Sequence, residues 1–158
     1  MIRSPARRRR SRGSAMVETA LVLVPMLAVT LATFDYAVAI FLQTTFRHAV
    51  REGVRYAVTS QTMDGMGQDA SIKTVVQRNA MGFLNGAANA EKIKIRYYDP
   101  VTLAETASNA GGNLVEVSIE GYQWSWMAPI MRSATPLTIT VRSSDRMEAS
   151  PNGIPPAR

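Results

Sequence analysis

The sequence predicts an α+β fold: a long N-terminal transmembrane helix, a second helix and a small, mainly antiparallel sheet. Three observations carry this. The stretch from Gly13 to Ser60 is nearly uncharged and apolar at first, then patterned as a helix. Residues 70–84 repeat an apolar face at helical spacing. From residue 91 onward the apolar period drops to two in three separate segments. The chain divides accordingly into a basic leader (1–13), the long helix (14–59, with the span at 15–42), an α+β domain (60–149) and a flexible tail (150–158).

The leader comes first. The chain has 158 residues and a formal net charge of +6. Residues 1–13 contain six arginines (Arg3, Arg7, Arg8, Arg9, Arg10 and Arg12) and no acid, and the 12 basic and 12 acidic residues that remain balance. A nucleic-acid-binding domain keeps its positive charge on a folded surface. Here the charge sits in a tail before an apolar helix, which marks the cytoplasmic side of a membrane span. No nucleic-acid partner is expected; the expected partner is the lipid of a membrane. The arginine run lacks the apolar residues that closely follow a twin-arginine export signal. The chain has no cysteine, which excludes disulfides, thiol catalysis and thiolate metal sites.

The span follows. Between Ala15 and Phe34 the only charged residue is Glu18. As a helix rising about 1.5 Å per residue, these residues cover about 30 Å, the hydrocarbon thickness of a bilayer. The apolar character continues through Leu42, and Ala32-Thr33-Phe34 is a poor cleavage site for a secretory signal. A retained helix is therefore predicted, kinked at Pro25. Asp35 has two readings: an interfacial acid facing headgroups or water, or an intramembrane acid paired with a partner helix.

Beyond the span, Val50, Gly53, Val54 and Ala57 recur on one helical face, and Arg47, Arg51 and Arg55 form a second stripe. The small face suits close packing on a domain or a neighbouring helix. Gly53 permits close approach or marks a bend. Glu52 lies within helical reach of His48 and Arg55. Residues 60–69 form a loop whose Asp64 and Asp69 lack the ligand series of a calcium site.

The second helix runs from Ala70 to Leu84, with Ile72, Val75, Val76, Ala80, Phe83 and Leu84 on its apolar face. Asp69 is placed to cap its start and Asn85-Gly86 to end it. Strands are predicted over 91–99, 113–122 and 136–143. Lys92, Lys94 and Arg96 face Glu116 and Glu120 if the first two pair.

Candidate chemistry is sparse, and no enzyme, metal or cofactor is expected. His48 is the only histidine, too few for a zinc site without several carboxylates. Ser14 has no histidine or Gly-x-Ser-x-Gly context for a catalytic triad. Trp124 and Trp126 share a face in an extended segment: either internal packing or a subunit contact. The Met127-Ala-Pro-Ile-Met131 run suits an adaptable contact.

Gly13-Ser14-Ala15-Met16-Val17-Glu18 stands where the leader meets the helix. It resembles the prepilin-peptidase site of type IV pilins and pseudopilins, in which cleavage follows the glycine and an acid occupies the fifth mature position. The alternative is a linker glycine and a helix-start acid favoured by the helix dipole. Arg12–Pro25, Phe34-Asp35 and Ala49-Val50-Arg51-Glu52-Gly53-Val54-Arg55-Tyr56-Ala57 together resemble the TadE/TadG-like family of tight-adherence (Flp) pilus assembly. Thr19 stands where such proteins carry an aromatic. The resemblance implies a pilin-like, non-catalytic, single-pass protein of the bacterial inner membrane. Its N-terminus would be cytoplasmic and its C-terminal domain periplasmic. Gly13, Ser14 and Glu18 would form the processing site for a prepilin peptidase. Other pilin-like subunits and the pilus assembly platform would be its partners, with Asp35, Arg51, Glu52, Gly53, Arg55, Tyr56, Trp124 and Trp126 as contact candidates. The alternative is a membrane-anchored periplasmic binding or adhesin module that stays out of a pilus.

Overall fold

The computed structural model describes residues 12–128 and 135–158. Its organising element is a 47-residue helix, α1, Arg12–Val58. Two patterns follow each other along it. Residues 15–27 are exposed on every side. Burial of one side begins at Ala28, and Leu42, Phe46, Ala49, Val50, Gly53, Val54 and Ala57 then form a continuous buried stripe. Their helical spacing puts one face of the upper half against the domain. α1 continues through Pro25, where the missing amide leaves the Leu21 carbonyl without its usual donor.

Helix α2, Gln68–Asn79, crosses this stripe. Gly53 makes the crossing possible, since a Cβ there would lie 2.5 Å from Val76 Cγ2. The helix is shorter than its apolar pattern suggested. Met81 and Gly82 take positive φ values of 52° and 86°, and the chain turns there. Ala80 and Leu84 nevertheless stay in the core, and Gln77 Nε2 donates to the Leu84 carbonyl at 2.9 Å to hold the turn. Asp69 does not cap α2. The N-cap is Gly67, with no side-chain cap bond, and the Asp69 carboxylate is turned to Tyr97 and Arg158. A single helical turn, α3 (Ala87–Ala90), leads into the sheet.

The sheet comprises β1 (Ile93–Tyr98), β2 (Glu105–Thr106), β3 (Leu114–Trp124) and β4 (Leu137–Arg146), in the order β2-β1-β3-β4 with every pair antiparallel. Val115, Val117, Ile119, Ile139 and Val141 turn inward to α1 and α2. Arg96 sits opposite Glu116 in the β1–β3 register. It bonds the Glu120 carboxylate at 2.6 and 3.2 Å, as the charge pattern anticipated. That bond is the main reason the Glu120 carboxyl is held below its ordinary range. The register shifts between Ile119 and Tyr122, where Gly121 has φ 69°, so the end of β3 turns towards the lower part of α1.

Residues 150–158 were expected to fray; their last three, Pro156, Ala157 and Arg158, are docked. The Ala157 carbonyl accepts from Gln68 N at 2.7 Å, and the Pro156 carbonyl accepts from Asn109 Nδ2 at 2.8 Å. The Arg158 guanidinium pairs with Asp69 at 2.9 Å and stacks on the Tyr97 ring, 4.7 Å from its centroid. A buried Gln68 with one amide bond to the Ala57 carbonyl completes this seam. The Tyr97 hydroxyl is pushed far above its ordinary value, first by burial and then by the neighbouring Asp69.

Candidate functional site

The functional candidates lie along α1, and the structure sorts them by height. At the bottom, Gly13 and Ser14 fall within the first turns of the helix. Glu18 lies six residues past the first described residue of α1. Glu18 is exposed, and its neighbours Met16, Val17, Leu21 and Val22 are each more than 60% exposed. The Thr19, Thr30 and Thr33 hydroxyls donate to the carbonyls four residues back, at 2.8–2.9 Å. Such internal bonding is what a polar side chain needs in a medium without water. Among the described residues, α1 is the one helix long and apolar enough to cross a membrane, with a window of mean hydropathy 2.0. This single N-terminal apolar helix points to a single-pass membrane protein.

In the middle of α1, Asp35 does not face water: it is fully buried, and donors of its own chain bond it. Met127 N donates to both carboxylate oxygens at 3.0 Å, and Ala128 N donates to Oδ2 at 2.7 Å. The carboxylate therefore closes a loop 92 residues further along the chain onto α1. The physical reason is desolvation: a buried carboxylate needs donors, and two successive backbone amides supply them. One helical step on, the Tyr36 ring packs on Trp126, with centroids 5.7 Å apart. A groove beside this pair is lined by Ala39, Ile40, Leu137 and Ile139.

Trp124 and Trp126 consequently have different surroundings. Trp124 ends β3 and packs on the core. Its indole Nε1 is buried without a hydrogen-bond partner among the described residues. Trp126 sits beyond the strand, against Tyr36. Of the Met127–Met131 run, residues 129–131 lie outside the described residues.

At the top, the small face of α1 is consumed by the domain. Gly53 is buried under α2, so it is an internal close-approach site and not a surface that a partner could reach. Arg51 and Arg55 are exposed, and Glu52 and Tyr56 are half-buried. Glu52, Arg55 and Tyr56 line one open groove with Thr59 and Gln61. Arg51 and Arg55 line another with Asp145 and Glu148. Ion pairs among the described residues involve Arg96 and Arg158; Glu52 makes none with Arg55 or His48. His48 is exposed on the helix surface. No group of three potential metal ligands occurs among the described residues.

Sequence reasoning located Asp35 and Trp126 but could not join them. The donors are backbone amides, which carry no residue-type signal. The only available clue was the coincidence of a costly buried acid with an apolar Trp-Met-Ala segment.

Comparison with known proteins adds one match. Residues 13–55 fit the family model of TadE-like proteins, the family that Arg12–Pro25, Phe34-Asp35 and Ala49–Ala57 resemble. No curated protein and no solved structure matches the chain.

Proposed function

We propose, taking the TadE-like character of residues 13–55 as the premise, that this chain is a pseudopilin-like subunit serving assembly of a tight-adherence (Flp-type) pilus. Its role is structural, without catalysis. It crosses the bacterial inner membrane once, with the arginine leader in the cytoplasm and the α+β domain in the periplasm. The observation that carries this reading is that the matched segment spans both halves of α1: the exposed apolar part and the part built into the domain. A helix of that form can pack against other spans in the bilayer while it holds a folded head outside it.

Gly13 and Ser14 flank the bond cut by a prepilin peptidase. Glu18 then lies close to the new amine, and its carboxylate neutralises a neighbouring subunit's amine in a helix bundle, where an unpaired charge is costly. Arg51, Glu52, Arg55 and Tyr56, exposed or half-exposed on the upper helix, are the contact residues offered to pilin-like partners or to the assembly platform.

The test is mass spectrometry of the protein purified from cells with an active prepilin peptidase. The expected species begins at Ser14. An intact Met1 terminus would leave the adhesin-like alternative as the better account.

A further inference from the structure

We infer that the pole of the domain around Trp126 and Met127 is seated in the membrane interface and touches lipid, with Asp35 as the internal clamp that allows it. This rests on the single-span reading of α1. The polarity of the fold is the first support. The Glu148 amide bonds the Val58 carbonyl at the top of α1. Tyr122 packs on Phe46, ring centroids 4.8 Å apart, and Trp126 packs on Tyr36. The Met127 and Ala128 amides reach Asp35. The segment through β3 thus descends α1, and 125–128 is its lowest described part.

Height is the second support. The apolar stretch 15–34 matches a hydrocarbon core of about 30 Å. Covering of α1 nevertheless begins at Ala28, which is 9% exposed and lies inside that stretch. The exposed residues 15–27, at about 1.5 Å each, span only about 20 Å. A bilayer that covers the apolar stretch must therefore reach the height of Asp35, the pole of the domain with it.

Chemistry is the third. Tyr36, Ile40 and Met127 are 54%, 60% and 58% exposed, apolar or aromatic surface directly above the span. Tyr and Trp favour the headgroup level, where one end of the ring is wet and the other dry. Backbone amides at that depth lack water and need protein acceptors. The Asp35 carboxylate supplies one to each of two consecutive amides.

The chain's only tryptophans are Trp124 and Trp126, so fluorescence can read this directly. The full chain carrying Trp124→Phe is reconstituted into phosphatidylcholine–phosphatidylglycerol vesicles brominated either near the headgroup end or at the centre of the acyl chain. The expected result is stronger quenching of Trp126 by the shallow bromines, with little quenching by aqueous iodide. Adding Asp35→Ala should release the loop, lowering bromine quenching and raising iodide quenching. A reference protein carrying Trp124→Phe, Trp126→Phe and Leu23→Trp reports the span itself, by strong quenching from the deep bromines. If that reference is quenched while Trp126 answers to iodide and not to bromine, the seated pole is refuted and the span stands. Shielding of Trp126 from both quenchers would also refute it, by placing the ring inside protein. If the reference is not quenched by bromine, the span fails and the seated pole fails with it.

Discussion

Gly53→Ala tests whether α1 and α2 are as close as they look. In an exposed helix this change gains about 1 kcal/mol, because glycine is the poorer helix former. Here the added methyl would sit 2.5 Å from Val76 Cγ2, a separation that real contacts do not show. Val76 is β-branched and on a helix, so it has essentially one comfortable rotamer and cannot swing aside. Forcing the helices apart costs about 1–3 kcal/mol. The net effect is a destabilisation of about 1 kcal/mol. The other two neighbours of the methyl, Ile72 and Val117, are each 3.6 Å away and are ordinary contacts. Deleting the offending atom with Val76→Ala should therefore reverse the sign. In that background Gly53→Ala should stabilise by about 1 kcal/mol, giving a coupling of about 2 kcal/mol. The assay is urea unfolding of the full chain in detergent micelles, followed by tryptophan fluorescence across the four members of the cycle. If Gly53→Ala stabilises equally in both backgrounds, the crossing is not held by this contact and the argument fails.

Other predictions are simpler. Glu120 has a folded-state carboxyl below its ordinary value because Arg96 bonds it. Its contribution is therefore complete above the ordinary carboxylate range, near pH 4.3, and is lost as pH falls through the lowered value. Glu120→Gln should flatten that part of the acid unfolding curve and leave the curve at neutral pH little changed in slope. Arg158→Ala should cost about 1 kcal/mol, since it loses a partly exposed ion pair and a ring stack. Hydrogen exchange at the Gln68 amide, which bonds the Ala157 carbonyl, should quicken; unchanged protection would mean the docked tail does not depend on its arginine. Gly13→Val should block leader cleavage, because a branched side chain obstructs the close backbone approach a protease needs, and a processed band of normal mobility on a gel would contradict the assignment. Glu18→Ala should spare cleavage more than assembly, and equal loss of both would argue against its pairing role.

The legible parts of the fold were those written in side-chain period. The buried stripe of α1, the apolar face of α2 and the alternation in β1, β3 and β4 could all be read from spacing. The Arg96–Glu116–Glu120 cluster followed from charge pattern alone. What escaped were features built from backbone or from a single residue. β2 is two residues long and has no period. The early end of α2 depends on positive φ at Met81 and Gly82, while the apolar residues beyond keep the helical spacing because they still face the same core. The tail docks largely through its own carbonyls, so its composition, rich in proline and poor in apolar residues, reads as loose. Asp35 was recognisable as costly, but its resolution by the Met127 and Ala128 amides was not, because any residues could supply them.

α1 runs unbroken from the exposed apolar residues into the core of the domain, a length of about 70 Å. Asp35 locks the domain's lower edge to that shaft, and the Glu148–Val58 bond holds its upper edge. Between Asp35 and Val58 the helix is continuous and contains no proline. The shaft and the head therefore move as one piece: a tilt or rotation imposed on α1 above Pro25 turns the head through the same angle. A pull on the head is passed straight down the helix axis. The hydrogen bond missing at Pro25 is a weak joint in that line, and it lies in the exposed apolar part of α1.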